Sequence, residues 1–362
     1  MRILLISLLV SFSSFAFSDE SCRVDNKDSC FWLFSHVDSF TFDNDMFAHG
    51  NDDQNYTYGL AWNWGDKMAR RHFFHTETTQ NILFDVLGLS KGYENRTRYA
   101  LQVGLTNFTP DALASRDVVD DDRPYASLVY VHSDIYKLLD ERSSVGIGTT
   151  FGFLGISLGG EIQATWHRIL RQVLDQDRPV NPEGWDNQIS DGGELTAMLD
   201  ISYHCKPPVR HSTIDAALSL DGAIGYYTFA SFGGVMKVGR INKNIPAHDV
   251  SKLAKPISAD DKLQLDGARI PRELFFFVGA RQVFMFYNAL LECQFRDSNF
   301  CLDDSEIRHD FYEWSFGVKF PFKKYFENTN MTISWHGRSK EHELEKARSH
   351  AWGSLTLEWI GD

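Results

Sequence analysis

Apolar and polar residues alternate in short runs that recur roughly every twenty to thirty residues along the chain. Leu218, Leu220, Ile224 and Tyr226 share one face, and Ser219 and Asp221 fall on the other, which is the period of a sheet with unlike sides. Similar runs occupy residues 99–103, 128–135, 195–201, 275–284, 314–320 and 355–359. Each approaches the ~9–11 residues that a tilted membrane strand needs. Past the N-terminus, no segment nears the ~18 uninterrupted apolar residues of a membrane helix. The chain is therefore predicted to be all-β. It forms either an antiparallel barrel or a soluble sandwich, because alternation alone does not distinguish a lipid-facing wall from a packed core.

Composition favours the barrel. Phe, Tyr and Trp make up 14% of a chain whose mean hydropathy is −0.30, as expected of an aromatic outer belt around a polar lumen. A formal net charge of −13 makes nucleic acid a poor partner. Arg2, the apolar run at residues 3–10, and the small residues Ala16 and Ser18 read as a signal peptide over 1–18. That leaves 19–362 as a single exported domain. Cys22 with Cys30, and Cys293 with Cys301, are spaced for two local disulfides with Cys205 left free, and no cysteine spacing suits zinc.

Alternation breaks at residues 160–174, where Ile162, Trp166, Ile169 and Leu170 recur at helical spacing behind Gly159 and Gly160. A lone helix in a β chain is expected to cap a site. On it, Gln163 and His167 are four residues apart and share a face, and Glu161 stands in the first turn. Upstream, Asn44 and Asp45 interrupt the strand that carries Phe40 and Phe42, and adjacent residues of a strand cannot share a face. The backbone is expected to turn there, at most one of the two facing a lumen, and a polar hairpin is the plain reading. Asp120, Asp121 and Asp122 beside Arg123 and Pro124 read as a solvated turn without the spacing of a calcium loop.

Six motifs then occur in order: DNDMF, YTYG, NFTPD, DDRPYAS, LGGEIQATWHR and GWDNQI. Together they resemble the lipid A 3'-O-deacylase family of outer-membrane β-barrels, from about Phe40 into the C-terminal strands. The resemblance implies a transmembrane antiparallel barrel of about 12 strands with a short helix beside the active site. It also implies a monomer in the Gram-negative outer membrane that hydrolyses the 3'-acyloxyacyl ester of lipid A. Asn44 and Asp45 match the family's Asn-Asp pair, Thr57 its site threonine and His167 its histidine. The family's site lysine follows the TP motif, where the nearest basic residue here is Arg116. Glu161, Gln163, Asp122, Arg123 and Trp185 match surrounding positions of supporting architecture. Calcium is the implied cofactor.

These residue types suit ester hydrolysis. His167 is the expected base for water, with Asn44 or Gln163 fixing its tautomer. No serine lies in a G-x-S-x-G elbow, so water is the expected nucleophile. Asp45 and Thr57 offer oxygen ligands for Ca²⁺, and Arg116 offers a cation for a lipid A phosphate, with Gln163 alongside as a substrate contact. Two rivals stand beside this reading: a porin or adhesin without catalysis, and a barrel phospholipase using Ser127 or Ser157.

Overall fold

The computed structural model describes residues 37–48, 55–89, 97–140, 142–174, 180–208, 213–241, 273–322 and 329–360. The alternating runs become the strands β1 (Val37–Asn44), β2 (Asn55–Gly65), β3 (Thr97–Thr109), β4 (Ala126–Leu138), β5 (Ser143–Leu154) and β6 (Glu194–Cys205). They continue as β7 (Ile214–Gly225), β8 (Tyr227–Arg240), β9 (Leu274–Asn288), β10 (Asp310–Pro321), β11 (Thr329–Arg338) and β12 (His350–Ile360). Most exceed the runs read from sequence, because glycines and small polar residues carry the ladders on past the point where clean alternation fails. Each strand pairs antiparallel with its neighbours, and β1 closes the sheet: Phe40 faces Trp62 on one side and Leu357 on the other. The result is a barrel of twelve strands.

The two faces sort as a membrane barrel requires. On β6, Thr196, Asp200, Ser202 and His204 are buried toward the lumen, and Leu195, Leu199, Ile201 and Tyr203 are exposed outside. Leu218, Leu220 and Ile224 on β7, and Phe276, Val278 and Phe286 on β9, extend this apolar outer surface. A soluble sandwich hides its apolar faces against each other, so the exposed belt excludes that fold.

The lumen is filled at the end where β1 leads to β2 and β5 to β6. Tyr56, Phe108, Met198, Met285, Phe311 and Trp352 pack there in one buried cluster. Around them, Glu313 accepts from Arg281 at 2.6 Å and from Arg338 at 2.7 Å, and Glu341 accepts from Arg338 at 2.7 Å and from Arg123 at 3.3 Å. Arg123 stacks over the Phe108 ring, 4.1 Å from its centroid. Buried charges persist only when paired in this way.

Among the described residues four helices accompany the strands: α1 (Asp66–Arg71), α2 (Glu77–Val86), α3 (Leu158–Leu174) and α4 (Ala289–Glu292). The single helix expected at 160–174 is α3, which starts two residues earlier than read. The other three lack the apolar stripe that marked it. Cys293 and Cys301 form the expected disulfide and Cys205 is a free thiol, whereas the signal segment, Cys22, Cys30 and the long polar stretch at 243–267 lie outside the described residues.

Candidate active site on the outer wall

Register decides which face of the barrel carries the motif residues. Asp43 belongs to the inner face, where it accepts from the Tyr56 hydroxyl at 2.9 Å. Asn44, the next residue and the last of β1, therefore faces outward. It pairs with Tyr58, which pairs with Asn107, which pairs with Ser127, giving one outward row across four strands. A β-bulge between Tyr56 and Tyr58 adds Thr57 to this strand, and its hydroxyl bonds that of Thr109 at 2.7 Å. The expected turn after Asn44 is present: its side chain caps the 3-10 turn Asp45–Phe47 by accepting from the Met46 amide at 3.0 Å.

Helix α3 lies against this row from outside. A Cβ on Gly159 would sit 2.1 Å from Asn107 Oδ1 and 2.6 Å from Ser127 Oγ, so only glycine permits the approach. A Cβ on Gly160 would lie 2.8 Å from the Trp185 ring. The two glycines thus belong inside the first turn of the helix as contact points, and not ahead of it as expected. Tyr58 donates its hydroxyl to the Gly159 carbonyl. Farther along, Phe42 on β1 meets Trp166 edge-on, with ring centroids 6.1 Å apart. The helix face turned to the wall carries Gln163 and His167, both buried, while Ile169 is exposed on the other side.

Each helical side chain is held from behind. Trp185 Nε1 donates to Gln163 Oε1 at 2.8 Å, and Trp185 is itself braced by Tyr125 and Leu113. His167 Nδ1 lies 2.7 Å from the Val180 carbonyl oxygen. A carbonyl only accepts, so Nδ1 carries the proton and the neutral ring has its basic lone pair on Nε2. The tautomer is fixed by Val180, and not by Asn44 or Gln163 as expected: Asn44 is committed to the Met46 amide and Gln163 Oε1 to Trp185. Sequence gave no sign of this, since a backbone acceptor leaves no residue-type signature.

The remaining motif residues build the rim. Asn187 donates to the Arg116 carbonyl at 2.8 Å, and the Ile189 amide donates to the Tyr125 carbonyl at 2.9 Å, tying the β5–β6 connection to the β3–β4 connection. Asp122 is buried and not solvated, with Oδ2 accepting from the Asp111 amide at 2.9 Å and from Arg348 at 3.3 Å. Glu161 accepts from Ser157 at 3.0 Å, which occupies that hydroxyl. Arg116 is exposed and pairs with Glu183, so it stands on the rim and not under the helix. Asn107 is not singled out by sequence; it joins Ser127, read there only as a rival's nucleophile, and the Gln163 amide nitrogen. All three are buried beneath α3, and Asn107's amide group, Ser127 Oγ and Gln163 Nε2 make no hydrogen bond among the described residues.

Residues 4–360 match the family described as outer membrane protein LpxR. The chain belongs to that family. Its fold resembles the solved structure of LpxR from Salmonella typhimurium at a TM-score of 0.66 and 12% identity, covering 89% of this chain and 99% of that one. Weaker likenesses reach the β domain of the Bordetella autotransporter BrkA (TM-score 0.39, 10% identity, 90% and 99% covered) and the KdgM porin (TM-score 0.35, 5% identity, 90% and 98% covered). No curated protein sequence matches the chain. Family and fold together make this an outer-membrane β-barrel, as expected.

Proposed function

We propose that this barrel hydrolyses the 3'-acyloxyacyl ester of lipid A in the outer leaflet, with His167 activating water. The observation that carries the reading is the side of the wall on which the site lies. Asn44, Thr57 and Asn107 lie on the outward row of the wall, and Gln163 and His167 on the buried side of α3, which packs against that row through Gly159 and Trp166 at the filled end of the barrel. A substrate reaches this cleft from within a leaflet; a solute crossing the lumen would never meet it. The plugged lumen likewise counts against a porin, whose channel is water-filled.

The chemistry follows from the side chains. His167, with its proton parked on Nδ1, takes a proton from water at Nε2 as the water attacks the ester carbonyl. Gln163 Nε2 and the Asn107 amide are donors with no partner among the described residues, suited to the developing oxyanion or to the amide-rich neighbourhood of the ester. Among the described residues Ser127 Oγ bonds no base, which disfavours a serine nucleophile and the phospholipase alternative. Ser157 is engaged with Glu161.

Calcium fits the donor set. Asp45 is a fully buried carboxylate directly after Asn44, and Thr57 directly precedes Tyr58, so the pairing of Asn44 with Tyr58 brings both oxygens to the same end of β1 and β2. Hard oxygen ligands of this kind hold Ca²⁺, which would polarise the ester carbonyl. Arg116, exposed on the rim beside Glu183, would offer its guanidinium to a lipid phosphate.

The test is mass spectrometry of lipid A from an outer-membrane-competent host expressing wild type or His167→Ala, grown with calcium. Loss of the 3'-acyloxyacyl mass in the wild type alone, abolished by a chelator, is the expected result. An unchanged lipid A profile in a host that carries the folded wild-type barrel would reject the reaction.

A further inference from the structure

The connection between β2 and β3 carries α1 and α2, which lie on the outside of the barrel at the end opposite α3. Their inner side is tightly packed. Phe84 is buried against Ile135, Val145 and Ile147, and the Lys137 ammonium sits 4.0 Å from the Phe84 ring centroid. Gln80 donates to the Ser133 carbonyl, and Tyr99 donates to Glu77 at 3.3 Å.

Their outer side is apolar and bare. Phe73 is 91% exposed and Val86 77% exposed, with Met68, Phe74, Ile82 and Leu87 exposed beside them. Scattered apolar residues need no explanation, but a concentration on one small two-helix unit does. Thr78, Thr79 and Asp85 on the same helix are also exposed, so the surface is mixed in the way of an interfacial helix and is not a core face left uncovered.

The barrel's aromatic belt at that end runs directly into this unit. On the outer wall Trp359 stacks on Trp62 at 5.6 Å, and Trp62 neighbours Phe40 at 6.1 Å and Trp64 at 6.3 Å. Trp64 then stacks on His72 at 5.2 Å, His72 on Phe74 at 5.6 Å, and Phe74 meets Phe73 at 5.4 Å. Aromatic rings collect at the level where a bilayer meets water. The chain of contacts therefore places α1 and α2 at membrane depth, continuous with the lipid-facing wall.

We propose that α1 and α2 form an in-plane membrane pad that binds the glycerophospholipid leaflet opposite the site. Phe73, Ile82 and Val86 enter the acyl boundary, and Arg71, exposed at the end of α1, meets headgroup phosphates. The inference rests on the outer-membrane barrel and is independent of the reaction assigned to the cleft.

The experiment is spin-label accessibility in the full-length barrel, in phosphatidylethanolamine–phosphatidylglycerol vesicles, with Cys22, Cys30 and Cys205 replaced by serine. Labels are placed by Phe73→Cys and Val86→Cys, with Leu220→Cys as the lipid-facing control and Glu343→Cys as the aqueous control. Heat-modifiable migration confirms folding in each case. High oxygen and low nickel-chelate accessibility at 73 and 86, matching position 220, is the expected result. A pattern matching position 343 means the unit stands in water and overturns the proposal. Low access to both reagents means protein covers it, and overturns the proposal equally.

Discussion

His167 gives its Nδ1 proton to the carbonyl of Val180, 2.7 Å away and thirteen residues on in the chain. The bond turns a residue that most helices would present to water into an oriented imidazole, whose neutral form has Nε2 as its only basic nitrogen. His167→Asn keeps a donor near Nδ1 but has no basic nitrogen. We expect that variant to fold with α3 seated while ester hydrolysis falls by about 10²-fold or more. Substantial retained hydrolysis would remove His167 from the chemistry.

Gly159 tests whether the helix must lie against the wall. Its substitution by alanine drives a Cβ to within 2.1 Å of Asn107 Oδ1. Asn107 is fully buried, so it cannot swing out to make room. The helix has to lift, at a cost of about 1–3 kcal/mol. Faster proteolysis within residues 155–193 and a marked loss of hydrolysis are expected in Gly159→Ala, with the barrel still heat-modifiable. Wild-type protease resistance would show that the contact can relax.

Much of the barrel was legible because lipid and lumen impose unlike chemistry on alternate residues: runs such as Leu218, Leu220 and Ile224 state the outer face directly. The partners of the site residues were less so. Gln163 and His167 were readable as one helical face, yet what holds them, Trp185 and the Val180 carbonyl, lies in a connection with no periodicity. Asn107 looked like an ordinary strand residue because its meaning comes from register with Tyr58 and Ser127, which sequence does not show. Helices α1 and α2 were missed for a related reason. Their buried side offers little more than Phe84 and Gln80, too few positions to make an apolar period, and their exposed apolar residues obscure it.

Trp185→Phe isolates the brace behind Gln163. The ring volume largely survives, but Gln163 Oε1 loses its donor at a buried position. A cost of about 1–3 kcal/mol is expected for that unsatisfied acceptor. Hydrolysis should fall because Gln163 is no longer aimed, and thermal unfolding should shift down modestly. If activity and melting are both unchanged, Gln163 is not positioned by Trp185.

Acid should open the connection between β11 and β12. Burial and the neighbouring Arg123 guanidinium lower His342 to about 4, and the paired guanidinia of Arg338 and Arg123 hold Glu341 down at about 2 despite its burial. For both groups the unfolded state binds protons that the folded state refuses, so stability falls as pH falls. The His342 contribution is lost between about pH 6.5 and 4, and that of Glu341 from about pH 4.5 down to 2. Hydrogen-exchange protection across residues 339–349, taken against the intrinsic rate at each pH, should fall in two stages over those windows. His342→Asn should shrink the upper stage and leave the lower. Identical profiles in the two proteins would mean that His342 does not titrate with folding.

The filled lumen makes the last prediction. Glu313 joins Arg281 to Arg338, and Arg338 joins Glu313 to Glu341, so three buried elements of the wall and its rim depend on one guanidinium. Arg338→Met leaves Glu341 with Arg123 alone, at 3.3 Å, and strips one of the two guanidinia from Glu313. Removing one member of a buried ionic network typically costs about 3–5 kcal/mol, and water entering to solvate the stranded carboxylates is the cheapest relief. In planar bilayers the wild type should be silent, since aromatic side chains and paired charges close the lumen, and Arg338→Met should show intermittent ion conductance. Steady porin-like conductance from the wild type would mean that the plug is permeable and would restore the channel reading. Silence from both proteins would mean that the aromatic cluster of Tyr56, Phe108 and Trp352 seals the barrel without help from the charges.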